Sequence, residues 1–192
     1  MRLRSLTLLA VLALSCEPIH SARPLSDPAS AKADARLQGL WEATVDGKPM
    51  FLHVVPHPDG QMDLVLVGDA KHGAATLHYQ GHATEHESAR YLSLRAKSIP
   101  DPMREKYDLA PGWIFAKYEL AKDGALTLSW MDEELPAKAI EAGTLGGKAP
   151  KGAKAEIDDE PAKIFAFIKS ADRAKLWVSL ARFQKMKLPS GK

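Results

Sequence analysis

Histidine is concentrated in one stretch of this 192-residue chain, where it could serve in metal binding or proton transfer. Six of the seven histidines lie between positions 53 and 86, and His78, His82 and His86 are spaced by four. On a helix this spacing would align the three imidazoles as metal ligands. The surrounding residues alternate instead, which predicts a strand, where residues four apart stand about 13 Å from each other. We therefore expect solvated strand and turn histidines and no metal; a metal site would need a cross-strand pair, such as His53 with His78.

Other catalytic patterns are weak. The chain has no Gly-x-Ser-x-Gly elbow for a nucleophile. The carboxylate pairs Glu133–Glu134 and Asp158–Asp159 stand at predicted helix starts, where capping explains them better than acid–base catalysis. The glycines and lysines of residues 143–152 lack the Gly-Lys-Ser/Thr ending of a phosphate loop. We expect no enzyme activity and no cofactor.

The first residues have the layout of a secretory signal peptide. Arg2 and Arg4 form a basic start, and the apolar run Leu6–Leu14 is about half the length that a membrane-spanning helix needs. Ser15 and Cys16 follow it, and Cys16 is the only cysteine, which excludes a disulfide framework. Residues 1–15 are therefore left out of the fold.

The stretch Leu12–Cys16 resembles a bacterial lipobox. The resemblance implies cleavage before Cys16, acyl chains on Cys16, and a membrane as partner through that anchor. Glu17 stands where an Asp would favour retention in the inner membrane, so the periplasmic face of the outer membrane is the expected location. The alternative is an ordinary secretory signal with a chance cysteine near its cleavage site.

Composition is that of one globular domain. The chain is 45% hydrophobic and 26% charged, too apolar for disorder and too short for two large domains. Its net charge of +2 arises from Arg2 and Arg4 alone, because all 24 acidic residues follow position 15 and balance the other basic ones. This charge gives no reason to expect a nucleic-acid partner.

Downstream of the leader, residues 16–36 are rich in Pro, Ser, Ala and Asp, which predicts a flexible tether. Residues 37–188 then show short alternating runs separated by turn signals such as Asp46–Gly47. The predicted strands are Gly39–Val45, Met50–Val55, Gln61–Val67, Ala75–Gly81, Arg90–Ala96, Trp113–Leu120, Ala125–Met131 and Leu176–Phe183. Two short helices, Glu133–Ala142 and Pro161–Ser170, precede the last strand. The predicted fold class is mainly β: an eight-stranded antiparallel barrel with two short helices.

Gly39-Leu40-Trp41, at the head of the first strand, resembles the Gly-x-Trp signature that opens lipocalin-type barrels. That resemblance implies an Arg near the end of the barrel that packs across the Trp, and Arg182 is the matching residue. The region from 37 to 187 also resembles a group of uncharacterised bacterial lipoproteins, through Phe51-Leu52-His53-Val54 and Leu128-Ser129-Trp130. The second resemblance implies no activity.

A barrel of eight strands has room for interior side chains or for one small ligand. The predicted ligand-binding residues are the inward-facing Trp41, Leu64, Leu66, Tyr79, Leu92, Tyr118 and Trp130. Three functions stay open: a binding module for a small apolar ligand or an envelope protein, a structural lipoprotein with a filled barrel, and a His-based metal-handling protein. An internal cavity of several hundred Å³ would favour the first.

Overall fold

A computed structural model describes residues 18–70, 73–98, 112–150 and 154–187. Its centre is a closed antiparallel barrel in which β2 to β8 pair in chain order and the last strand pairs with both β8 and β2. The barrel strands are β2 (Gly39–Val45), β3 (Lys48–Pro56), β4 (Met62–Ala70), β5 (Gly73–His86), β6 (Ala89–Ser98), β7 (Trp113–Leu120), β8 (Leu126–Met131) and β11 (Trp177–Lys185). The predicted fold class is confirmed, and the bounds of β2 and β7 are those predicted from the sequence.

The barrel closes because most strands present one apolar face. Trp41 and Ala43 on β2, Leu52 and Val54 on β3, and Leu92 on β6 point inward and are buried, while their chain neighbours face outward. Strands β6 and β7 also pair with each other, and Leu94 on β6 stands opposite Ile114 on β7. Among the described residues each barrel strand pairs with a neighbour on both sides, which reduces the free edges that favour sheet-to-sheet association.

The residues that precede β2 pack against the barrel and form what we call the strap, residues 18–37. The strap contains strand β1 (His20–Ser21) and two single turns of 3-10 helix, Pro28–Ser30 and Ala35–Leu37. Leu37 is buried, and its carbonyl accepts a hydrogen bond of 2.8 Å from the indole Nε1 of Trp41. We call this end of the barrel the strap end and the opposite one the far end.

The sequence predicted a flexible tether where the strap lies. Ile19 and Leu25 are instead only 1% exposed, and the backbone N–H of Leu25 donates to the Ser93 hydroxyl at 3.0 Å. Arg23 forms ion pairs with Asp158 and Glu160, which hold the strap to a helix start. The prediction is therefore wrong for residues 18–36, because a few apolar side chains and backbone groups find partners that are distant in the chain.

A second hydrophobic core lies outside the barrel, on the outer wall of β6, β7 and β8. Helices α1 (Glu134–Glu141), α2 (Pro161–Ser170) and α3 (Arg173–Leu176) cover this wall together with the strap. The short strands β9 (Gly147–Lys148) and β10 (Glu156–Ile157) extend the sheet beyond β1. The largest buried side chains of this core include Phe115, Trp113, Ile164, Phe165, Met131 and Leu176. The predicted helix Pro161–Ser170 is confirmed; α3 was not predicted.

The cation over the Trp41 ring is Lys185 and not Arg182. Lys185 pairs with Trp41 across β11 and β2, and its Nζ lies 5.0 Å from the ring centroid. Arg182 faces outward and donates to Asp123 at 2.6 Å. The assignment of Arg182 is wrong because Phe183 points into the barrel, so Lys185 shares its face while Arg182 lies on the other one.

None of the helices in the described ranges has both the length and the apolar character that a membrane span requires.

Candidate functional site

The seven predicted ligand-binding residues belong to one cluster inside the barrel. Trp41, Leu92 and Tyr118 lie toward the strap end and are at most 3% exposed, whereas Tyr79 and Trp130 are half-buried. Leu64 pairs with Tyr79 across β4 and β5 near the middle of the lumen, and Leu66 lies nearer the far end. The structure therefore brings the seven together around the lumen but divides them between two environments.

Packing of the lumen loosens from the strap end toward the far end. The strap half holds large side chains with less than 2% exposure, among them Trp41, Phe183, Met62 and Leu126. With the exception of Leu120, the large half-buried apolar residues of the cluster lie toward the far end: Val45, Met50, Leu77, Tyr79, Trp130 and Leu180. We call these six residues the far-end ring. An apolar molecule that contacts the lumen would find accessible apolar surface here and a filled core at the strap end.

Two aromatic rings meet across the lumen in the far half. Tyr79 on β5 and Trp130 on β8 are separated by two intervening strands, yet their ring centroids are 6.0 Å apart with planes tilted by 48°. This is the range of favourable aromatic pairs. The two rings therefore occupy part of the lumen themselves.

A cavity of about 440 Å³ lies between the strap and the barrel rim. On the strap side Ser26, Lys32, Asp34 and Arg36 line it, and on the barrel side Thr84, Glu85 and Tyr118 do so. A second cavity of about 370 Å³ lies at the β6–β7 edge of the barrel beside α2 and is lined by residues such as Arg90, Tyr91 and Trp177. Of the seven predicted ligand-binding residues, only Tyr118 lines these two cavities.

Asp34 is the electrostatic centre of the strap cavity. Its Oδ2 accepts a hydrogen bond of 2.9 Å from the buried Tyr118 hydroxyl, and Arg36 donates to both carboxylate oxygens. Partial burial raises the pKa of Asp34, but the hydrogen bonds from Arg36 and Tyr118 outweigh it and leave the pKa below its ordinary value. The carboxylate is therefore ionised and held, which fixes the strap over the rim.

The histidines occupy separate environments. His53 is exposed on β3 and His57 lies in the loop before β4, while His72 falls outside the described residues. His78, His82 and His86 share the outer face of β5, as the strand assignment predicted. His82 is fully buried, and the His86 ring stacks on Phe165 with centroids 4.0 Å apart.

Two of these histidines share one carboxylate. The Asp63 carboxylate has its Oδ2 at 3.0 Å from His57 Nε2 and its Oδ1 at 3.3 Å from His78 Nε2. Burial of Asp63 raises its pKa, but the hydrogen bond with His57 and the closeness of His78 outweigh burial and lower it. The pairing of His53 with His78 does not occur, because β4 lies between their strands and places Val65 opposite both. Across the described ranges, no group of three His, Cys, Asp or Glu side chains is placed to hold a metal ion.

The carboxylate pairs have structural roles. Asp132 Oδ1 accepts from the N–H of Glu134, and Glu133 Oε1 accepts from the N–H of Ala155. Asp159 accepts from the N–H groups of Gly146 and Glu160, at 2.8 and 2.9 Å. These bonds satisfy backbone donors beside the helices and in loops, but the N-cap residues Glu133 and Glu160 make no side-chain capping bond, so the capping interpretation of the two pairs is not confirmed.

The sequence analysis missed the strap cavity and its residues Asp34 and Arg36, and it did not single out Lys185. A signal for Lys185 was present, since Ala181, Phe183 and Lys185 alternate on one face. Cys16, the predicted site of lipidation, lies outside the described residues. Comparison of the chain with protein-family models, with curated proteins and with solved structures finds no match.

Proposed function

We propose that this protein is a lipid-anchored protein of the cell envelope whose barrel binds a small apolar molecule at its far end. The observation that carries the proposal is the asymmetry of the lumen. The strap end is filled around Trp41 and Leu37, while the far-end ring leaves apolar side chains half-buried. Half-buried apolar surface that converges inside a concave wall is the usual character of a small-molecule site.

The ligand class follows from the lining. Each member of the far-end ring is apolar, and Tyr79 and Trp130 add polarisable ring faces. These six side chains carry no charge, so among the described residues of the ring an isolated ionic group would find no partner for its lost hydration. The ligand we propose is therefore a compact neutral molecule with an aliphatic or aromatic body, which makes its contacts without catalysis or cofactor.

The anchor is the second part of the proposal. Its support is the pattern Leu12–Cys16 after a short apolar run, with the only cysteine of the chain at the acylation position. Several acyl chains on one residue hold a protein firmly to a bilayer, at about 0.8 kcal/mol for each buried methylene. We place the protein on the periplasmic face of the outer membrane, in the group of bacterial lipoproteins that its sequence resembles.

Binding is tested with the neutral apolar fluorophore N-phenyl-naphthylamine, excited by energy transfer from tryptophan. The protein is the Cys16→Ser chain without residues 1–15, so that the anchor does not compete for the probe. We expect saturable binding that Leu77→Gln weakens roughly tenfold, about 1.4 kcal/mol, because it places an amide in the far-end ring. Thr76→Gln is the matched control: Thr76 is the neighbouring residue, exposed on the outer face of the same strand.

Two outcomes would contradict the binding proposal. One is the absence of saturable transfer to the probe, and the other is equal weakening by Leu77→Gln and Thr76→Gln. Either would favour the alternative of a structural envelope protein with a filled barrel, to which the contact of Tyr79 with Trp130 across the lumen lends support.

The anchor is tested separately, by growth with radiolabelled palmitate and by membrane fractionation. We expect label in the wild-type protein and none in Cys16→Ser, which should move to the soluble fraction. Ser15→Thr, a small change one position earlier, keeps the acylated residue and should keep the protein in membranes. Unlabelled wild-type protein would mean an ordinary secretory signal and would leave the binding proposal intact.

A further inference from the structure

His82 lies at the contact between the strap and the barrel wall. It projects from the outer face of β5 and has no exposed surface, because the strap covers it. Its Nε2 is 3.1 Å from the carbonyl oxygen of Ser26 in the strap. The edge of its ring meets Trp113 of β7, with centroids 5.5 Å apart and planes at 78°.

The strap is held around this histidine by two further polar contacts. Ser93, which stands opposite His82 across β5 and β6, accepts a hydrogen bond from the N–H of Leu25. The hydroxyls of Ser26 and Thr84 are 2.7 Å apart. Residues 25 and 26 of the strap are thus bound by three adjacent side chains of the barrel, and His82 is the titratable one.

The surroundings of the second ring nitrogen of His82, Nδ1, determine how costly protonation of the buried ring would be. Within the described ranges, His82 Nδ1 is buried and has no hydrogen-bond partner. The bond to Ser26 requires a proton on Nε2, so the neutral ring keeps its lone pair at Nδ1. Protonation would place a second N–H, and a full charge, where the described residues offer no acceptor. Such a group is costly to keep buried.

The surrounding charges do not compensate for this cost. Asp27 in the strap attracts a charged imidazole, but it is exposed and its Oδ1 caps Ala29. On β6, the Arg95 guanidinium lies 4.1 Å from the centre of the Trp113 ring that His82 also contacts, and it repels a second cation. On β5 itself, the outer-face neighbours Gln80 and Thr84 are neutral.

We propose that His82 is a pH latch, whose protonation releases the strap from the barrel wall. With the strap detached, the imidazole reaches water and carries its charge at no burial cost. The strap supplies one wall of the 440 Å³ cavity, through Ser26, Lys32, Asp34 and Arg36. Release of residues 25 and 26 therefore opens this cavity on the side of Ser26, while Asp34 keeps its own contact with Tyr118, and the latch acts whether or not the far end binds a ligand.

The direction of the pH dependence follows from linkage. Burial lowers the pKa of His82 more than the contacts with Ser26 and Asp27 raise it, so its pKa is below the ordinary value of about 6.5. At a pH between the lowered pKa of the docked state and the ordinary value, His82 is protonated when the strap is released and neutral when it is docked. Strap docking is thus fully favoured above about pH 6.5 and weakens as the pH falls, by at most about tenfold per unit for one proton.

Hydrogen exchange of the full chain in detergent micelles, read by mass spectrometry, tests the latch. Protection of strap peptides is compared at about pH 7.5 and about pH 5, corrected for the intrinsic rate, with a β3 peptide as internal reference. We expect strap protection to fall at the lower pH, by at most about thirtyfold, because one proton changes the docking equilibrium by no more than about tenfold for each unit below about pH 6.5, while β3 stays protected. In His82→Gln, whose amide still donates to Ser26 but does not titrate, strap protection should not respond to pH.

His78→Gln is the matched control, since His78 lies on the same face of β5 but contacts Asp63 and not the strap. It should retain the acid release. Equal strap protection of the wild type at both pH values, or equal release in His82→Gln, would overturn the proposal. If His82→Gln does not fold, an NMR titration of the wild-type imidazole replaces it: the strap must open over the pH range in which His82 takes up its proton.

Discussion

Tyr79 and Trp130 meet inside the barrel, with ring centroids 6.0 Å apart, although they belong to strands that do not pair. Because the contact joins opposite sides of the wall, we expect the two residues to be energetically coupled. Urea unfolding of Tyr79→Leu, Trp130→Leu and the double variant should give a coupling free energy of about 0.5–1.5 kcal/mol. Tyr79→Leu combined with Trp177→Leu, which changes an outer-wall tryptophan, should be additive. Additivity in both cycles would show that the rings do not interact.

Gly60 and Ala31 connect the β3–β4 turn to the strap. Gly60 has φ +84°, and a Cβ there would lie 2.1 Å from the Ala31 carbonyl oxygen. Gly124 has nearly the same φ, +82°, but open space around it. Both Ala variants incur left-handed strain of about 1–2 kcal/mol, and Gly60→Ala must in addition displace the strap. We expect a larger loss of unfolding free energy and a selective loss of strap protection in Gly60→Ala; equal behaviour of the two variants would argue against this contact.

The indole of Trp41 is the donor that satisfies the buried carbonyl of Leu37. Trp41→Phe keeps an aromatic ring but leaves this carbonyl without its partner, which should cost about 1–3 kcal/mol of unfolding free energy. Lys185→Met keeps the aliphatic stem over the ring and removes the cation together with its hydrogen bond of 3.4 Å to the Arg36 carbonyl, at a cost of about 0.5–1 kcal/mol. Denaturant midpoints should rank Trp41→Phe as the less stable variant, and the reverse order would assign the stabilisation to Lys185.

The Tyr118 hydroxyl is buried and donates to ionised Asp34, and both conditions raise its pKa far above the ordinary value of about 10. The folded state therefore holds the phenol proton after the unfolded chain has released it. Stability is intact below about pH 10 and falls as the pH rises further. An alkaline titration of phenolate absorbance should show a step that coincides with unfolding and that is smaller by one phenol in Tyr118→Phe. An unchanged step in Tyr118→Phe would contradict the assignment.

The barrel was predictable because apolar and polar residues alternate along its strands, as they do in a sheet with one buried face. Val45 and Lys48, for instance, bracket the Asp46–Gly47 turn, and β2 and β3 pair directly on either side of it. Local signals of this kind do not depend on distant parts of the chain, so the eight strands could be predicted from the sequence.

The strap and the outer core were not predictable in the same way. Ile19, Leu25 and Leu37 have no regular spacing, and Leu25 is bound by Ser93, which lies 68 positions away. The continuous apolar run Trp113–Ala116 in β7 was a signal that both faces of this strand are covered. Which residues of the lumen stay accessible depends on side chains from several strands, and strand alternation gives no information on that.

If Cys16 is acylated as proposed, the packed strap limits the distance between the barrel and the membrane. Ile19 is buried in the body of the protein, so an acylated Cys16 would lie three residues before this contact, at a distance of at most about 10 Å along the chain. If the strap detached as far as Leu37, about twenty residues of extended chain would separate Cys16 from the barrel, and this segment could span about 70 Å. If both the anchor and the latch exist as proposed, acid would let the barrel move several times farther from the membrane surface than it can at neutral pH.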